Sequence, residues 1–176
     1  LTTIEWLNTL QNSNVIKNIY CQSDSGRILA KDIGNYTMPD NVEKIAITET
    51  YIYELPKFTE NSKIKNINCS NNKISNLSNL KNIKNLEQLN LSRNNITDLS
   101  ALKNLIDNGK TTLTTLNLSN NSLEATTTGG TSNIDILKEL HSAGLKSINI
   151  SGNKSITENE ENIKQLKEIF GTGLVY

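Results

Sequence analysis

Four asparagines, Asn72, Asn94, Asn121 and Asn153, each stand at the ninth position of a segment that is apolar at its first, fourth and sixth positions. A carboxamide both donates and accepts hydrogen bonds. Placed where a chain turns out of a strand, it can satisfy backbone groups that would otherwise be buried unpaired. The chemistry to expect from this spacing is an internal asparagine ladder, and replacing one rung by Ala should cost roughly 1 to 3 kcal/mol. Thr50 holds the equivalent position in an earlier segment and should make a weaker rung.

Other reactive side chains lack such a constellation. Cys21 and Cys69 both occupy an inward sixth position, where a free thiol behaves as a small hydrophobe. With one strand between them they would lie about 9 to 10 Å apart, beyond the roughly 7 Å reach of a disulfide. His141 falls near the end of a predicted helix, where a cation complements the dipole. No nucleophile or carboxylate groups around it. Gly129-Gly130 lacks the strand, helix and Lys of a phosphate loop. The acidic run Glu158 to Glu161 is a helix start favoured by the dipole. The expectation is therefore no enzyme, no catalytic residue, no metal and no cofactor.

The elements that must position the ladder follow from the repeats I64-K-N-I-N-C-S-N-N-K-I, L86-E-Q-L-N-L-S-R-N-N-I and L113-T-T-L-N-L-S-N-N-S-L. In a strand, alternate side chains face opposite sides. Positions 4 and 6 therefore point inward and positions 3, 5 and 7 outward, and stacked copies build one parallel sheet. Starts at Val42, Ile64 and Leu86 are 22 residues apart; later starts at Leu113, Leu145 and Leu174 give 27, 32 and 29. Ile16-Lys-Asn-Ile-Tyr-Cys21 is a degenerate first copy.

In the shortest coils the outer connection, such as the segment from Ser75, has room only for an extended or 3₁₀ turn. Ser132 to Asp135 reads as a capping box opening a helix that Gly144 stops, and Thr157 to Glu160 as a second box. Thr3 to Gln11, with Trp6, is an N-terminal capping helix, and Ser23 to Asp40 a return loop. One domain spanning 1–176 is expected, with a cap at 1–15, repeats at 16–156, and a C-terminal helix and short strand at 157–176.

The L-x-x-L-x-L-x-x-N-x-L pattern resembles the leucine-rich repeat family, and L86-E-Q-L-N-L-S-R-N-N-I-T-D-L-S-A-L-K-N-L is similar to its internalin-type bacterial surface members. The resemblance implies an α/β fold: a curved right-handed solenoid with a parallel concave β-sheet and short 3₁₀ or α elements on the convex side. It also implies protein recognition at a bacterial cell surface or outside the cell. The longer, helix-bearing later repeats are more similar to intracellular relatives, which leaves a cytoplasmic location as the alternative.

The outward positions supply the candidate partner-binding residues Asn68, Glu87, Gln88, Asn90, Ser92, Arg93, Thr115, Asn117 and Asn149. Interface hot spots favour Trp, Tyr and Arg. Arg93 therefore stands out on this polar face, with Tyr51, Tyr53 and Phe58 at the edge of the second coil. The alternative is a structural spacer with no ligand of its own. Eighteen basic and eighteen acidic residues balance to zero net charge, which gives no reason to expect nucleic acid. No apolar run reaches the roughly 20 residues of a membrane span. A monomer is expected. Asn68, Asn90, Asn117 and Asn149 all begin N-x-S acceptor sites on the proposed face. Sugars there would cover it, so the source is expected to be bacterial or the location intracellular.

Overall fold

The computed structural model describes residues 15–22, 33–127 and 129–176. The expected N-terminal capping helix, and residues 23–32 of the return loop, lie outside them. Seven strands form one parallel sheet in sequence order: β1 Asn18–Gln22, β2 Lys44–Thr48, β3 Asn66–Asn68, β4 Gln88–Asn90, β5 Thr115–Asn117, β6 Ser147–Asn149 and β7 Leu174–Val175. The repeat sets the register. Ile19, Ile45, Ile67, Leu89, Leu116, Ile148 and Leu174 pair in one row across the sheet, and all are buried.

That row corrects one expectation. Leu174 pairs with Ile148, a fourth position, so the last copy starts at Gly171, 26 residues after Leu145. Gly171 has no apolar side chain to mark the start, which is why the pattern points to the next apolar residue.

The five coils that start at Val42, Ile64, Leu86, Leu113 and Leu145 leave their strands through the same backbone device. Glu49, Asn71, Arg93, Asn120 and Gly152 all occupy the eighth position, and all have φ between 55° and 74°. Left-handed backbone costs an ordinary L residue roughly 1 to 2 kcal/mol and suits Gly or Asn. At Gly152 space is a second constraint, since a Cβ there would sit 2.6 Å from Asn120 Oδ1.

The return paths thicken along the chain. The coils of Ile64 and Leu86 return through 3₁₀ turns, Ser78–Asn82 and Ser100–Leu105, burying Leu80, Leu102 and Leu105. The next coil carries α1, Asn133–Ala143, whose Ser132 cap accepts from Asp135 N at 3.0 Å and whose Leu137 and Leu140 face the core. Gly144 ends α1 with φ 136°. The segment after Asn153 is a single-turn helix, α2 Lys154–Thr157. It displaces the second cap: α3 runs Glu160–Phe170 from Asn159, whose Oδ1 accepts from Asn162 N at 3.0 Å. Thr157 instead donates to Asn153 O at 3.1 Å, closing α2. The 3₁₀ turns, α1 and α3 pack side by side, and the apolar residues between them and the sheet form one continuous core.

Candidate binding face and carboxamide ladder

Inside the coils, Asn72, Asn94, Asn121 and Asn153 are buried. Asn94 Nδ2 donates to Cys69 O at 2.9 Å in the preceding coil and to Leu91 O at 3.0 Å in its own, while its Oδ1 accepts from Ile74 N at 2.9 Å. Asn121 bonds likewise to Leu91 O and Leu118 O, both at 2.9 Å, and accepts from Ile96 N at 3.0 Å. Asn153 repeats this with Leu118 O, Ile150 O and Leu123 N. Each rung thus staples two coils. Thr50 is buried too, and its N and Oγ1 both donate to Asn72 Oδ1 at 3.0 Å.

A fifth buried carboxamide escapes the repeat pattern. Asn133, fully buried at the start of α1, donates to Thr97 O at 2.7 Å and Glu124 O at 2.8 Å and accepts from Leu99 N at 2.8 Å. It joins the convex ends of two coils. Asn79 and Asn82 donate to Leu55 O and Phe58 O of the neighbouring coil in the same way. Their signal in the sequence is only an Asn in a polar stretch.

The concave wall holds the outward positions. Asn68, Asn90, Asn117 and Asn149 pair in one row across β3 to β6. Each turns its Oδ1 back on its own chain, accepting from the amides of Ser70, Ser92, Ser119 and Ser151 at 3.0 to 3.2 Å. A concavity of about 420 Å³ on this wall is lined by five of the nine candidates, Asn68, Gln88, Asn90, Thr115 and Asn117, together with Tyr20, Lys44, Ala46 and Asn66. Tyr20 is 69 % exposed. It occupies the fifth position of the degenerate first copy, so the same alternation could have placed it on this wall.

The remaining candidates sit apart. Asn149 lies on β6 beyond the concavity. Glu87 precedes its strand and faces Lys65 at 3.6 Å. Ser92 and Arg93 lie in the turn after β4, with Arg93 exposed. Tyr51 and Tyr53 are more than half exposed, Lys73 Nζ lying 5.9 Å from the Tyr51 ring, whereas Phe58 is a core residue. Along the entrance edge Lys17 meets Glu43 at 2.8 Å. Their hydrogen bond and charges hold the Glu43 carboxyl below its ordinary value and raise Lys17.

Burial pushes the free thiols up, Cys21 to about 11 and Cys69 to about 12, so neither is an activated nucleophile. The His141 ring packs edge-on against Phe170 with centroids 4.8 Å apart. Among the described residues no group of three or more His, Cys, Asp and Glu could hold a metal ion, and no helix is long and apolar enough to cross a membrane.

Parallel strands in one open row, an interior carboxamide ladder and short outer elements define a leucine-rich repeat solenoid. The chain carries leucine-rich repeats: residues 62–104 match the family described as Leucine Rich repeats (2 copies), and residues 112–139 match Leucine Rich Repeat. No curated protein sequence matches it. Among solved structures it is similar to an internalin, inlF of Listeria monocytogenes, at 18% identity and TM-score 0.44, covering 85% of this chain and 52% of the other. The chain thus spans about half the length of that protein.

Proposed function

We infer that the concave wall docks a protein partner, the chain acting as a monomeric, non-catalytic recognition module. Leucine-rich repeat domains generally mediate protein–protein interaction, and stacked coils create extended concave surfaces suited to it. One observation carries this most: a continuous wall of in-register polar side chains, Asn68, Gln88, Asn90, Thr115, Asn117 and Asn149, with a concavity about 420 Å³ in volume over most of them. Glu87, Ser92 and Arg93 are assigned to its rims. A location at or outside a bacterial cell surface rests on the resemblance of the Leu86 repeat to internalin-type sequences.

A second possibility, a spacer without a ligand, is favoured by the structural employment of the concave asparagines. Their Oδ1 atoms hold strand-end amides, so the row has a use with nothing bound. Partner capture separates the two. Immobilised wild-type chain should retain proteins that Asn90→Arg and Arg93→Glu lose while both variants remain folded, with Lys138→Glu on the outer side still binding. Retention by both concave variants and loss by the outer one would contradict docking on this wall.

A further inference from the structure

We propose that the groove between β1 and β5 takes a linear, neutral oligosaccharide laid across the strands, one pyranose ring per strand, with one ring stacked on Tyr20. This rests on the concave wall being the docking surface for a protein partner and specifies what it docks, a glycan carried by that partner.

Three features point there. The first is repetition. Asn68, Asn90 and Asn117 are in register, each with Oδ1 committed to a backbone amide. Their Nδ2 hydrogens therefore form a row of donors spaced by the strand separation, about 4.8 Å. A pyranose unit in a linear chain advances by nearly that much, and its hydroxyls accept. An extended peptide lying along the row presents carbonyls on one side only every two residues, about 6.6 to 6.8 Å. It falls out of step at each strand.

The second feature is shape. Tyr20 is paired in register with Ala46, and Ala46 with Asn68. A large exposed ring beside the smallest side chain of the row leaves a step with an aromatic wall. The C–H face of a sugar fits such a wall, since aromatic rings offer a flat apolar surface with an electron-rich face. The third is electrostatic. Lys44 carries the only charge among the described residues lining the groove, so nothing there collects a polyanion. Asn66 Oδ1, buried in the same lining without a hydrogen-bond partner, can accept from a hydroxyl, which both donates and accepts.

The test is titration of the full isotope-labelled chain with cellohexaose and chitohexaose, and separately with a random-sequence peptide pool, read at the side-chain amide resonances. At least one hexaose should shift Asn68, Asn90 and Asn117 saturably while leaving Asn94 and Asn121 in place. Tyr20→Ala should weaken binding about tenfold, equivalent to 1.4 kcal/mol, and Ala46→Arg should abolish it, both with unchanged melting temperature. The absence of these shifts with either hexaose would overturn the proposal, as would binding indifferent to both variants. Peptides shifting the same resonances where no hexaose does would overturn the oligosaccharide and leave the concave wall as the docking surface. Failure of the wall itself is read separately, by partner capture with Asn90→Arg.

Discussion

The interior ladder and the concave wall use the same residue at positions four apart in each repeat, and the two asparagines have opposite fates. Asn94 is fully engaged: its Nδ2 finds carbonyls in two coils and its Oδ1 the Ile74 amide of the earlier one. Asn90 is half used, its Oδ1 holding Ser92 N at 3.1 Å and its Nδ2 left over. The difference teaches that a carboxamide's role is set by the face the strand alternation gives it. Inside, every unmade bond is a desolvated group; on the wall, water or a ligand completes the set.

Truncation should expose that difference first. Asn94→Ala leaves Ile74 N without its partner in a dry interior and removes one of the two carboxamide donors to each of Cys69 O and Leu91 O, and an unsatisfied group costs about 1 to 3 kcal/mol before relaxation. A loss of about 3 kcal/mol in urea unfolding is expected. Asn90→Ala removes one bond from a half-buried amide and should cost about 1 kcal/mol. Equal losses at the two sites would erase the distinction.

The fourth-position row and the ladder were legible because burial enforces them at fixed spacing. What was not legible involved residues whose type says little about position. Arg93 and Glu49 give no sign of left-handed backbone, although Asn71, Asn120 and Gly152 at the same repeat position do. For the α3 cap the sequence offers Thr157 and Asn159 alike, and only the turn of α2 decides between them. Tyr20 stands in a copy that lacks the ladder asparagine, so the repeat does not flag it, yet it is an exposed aromatic of the wall. Asn133 had no repeat to announce it.

A second contrast lies in the thiols beneath the wall. Burial raises Cys69 from 9.0 to about 12, so above pH 9 the unfolded chain loses its thiol proton while the folded chain keeps it. The folded state then binds more protons, and stability falls as pH rises from about 9 toward 12, by up to about 1.4 kcal/mol per unit. Cys69→Ala should flatten the slope of stability against pH in that window relative to wild type; identical slopes would place the thiol in a wetter site.

The smallest effect concerns the turn that separates the two asparagines. Arg93 holds φ 55° where its neighbours in the stack, Asn71 and Asn120, are better suited. Arg93→Asn should stabilise the chain by about 0.5 kcal/mol, read as a higher urea midpoint, and should leave the concave groove intact. A drop in midpoint would show that the arginine side chain does more for the fold than its exposure suggests.

The division between ladder and wall is tested most directly by hydrogen exchange of the asparagine side-chain amides, followed residue by residue. The Nδ2 protons of Asn72, Asn94, Asn121 and Asn153 should exchange only through large openings, with protection approaching that of the core strands, while those of Asn68, Asn90, Asn117 and Asn149 should exchange at nearly the rate of an open amide. Comparable protection in the two sets, or faster exchange at the interior positions, would contradict a fold stapled from within and open for recognition at its concave wall.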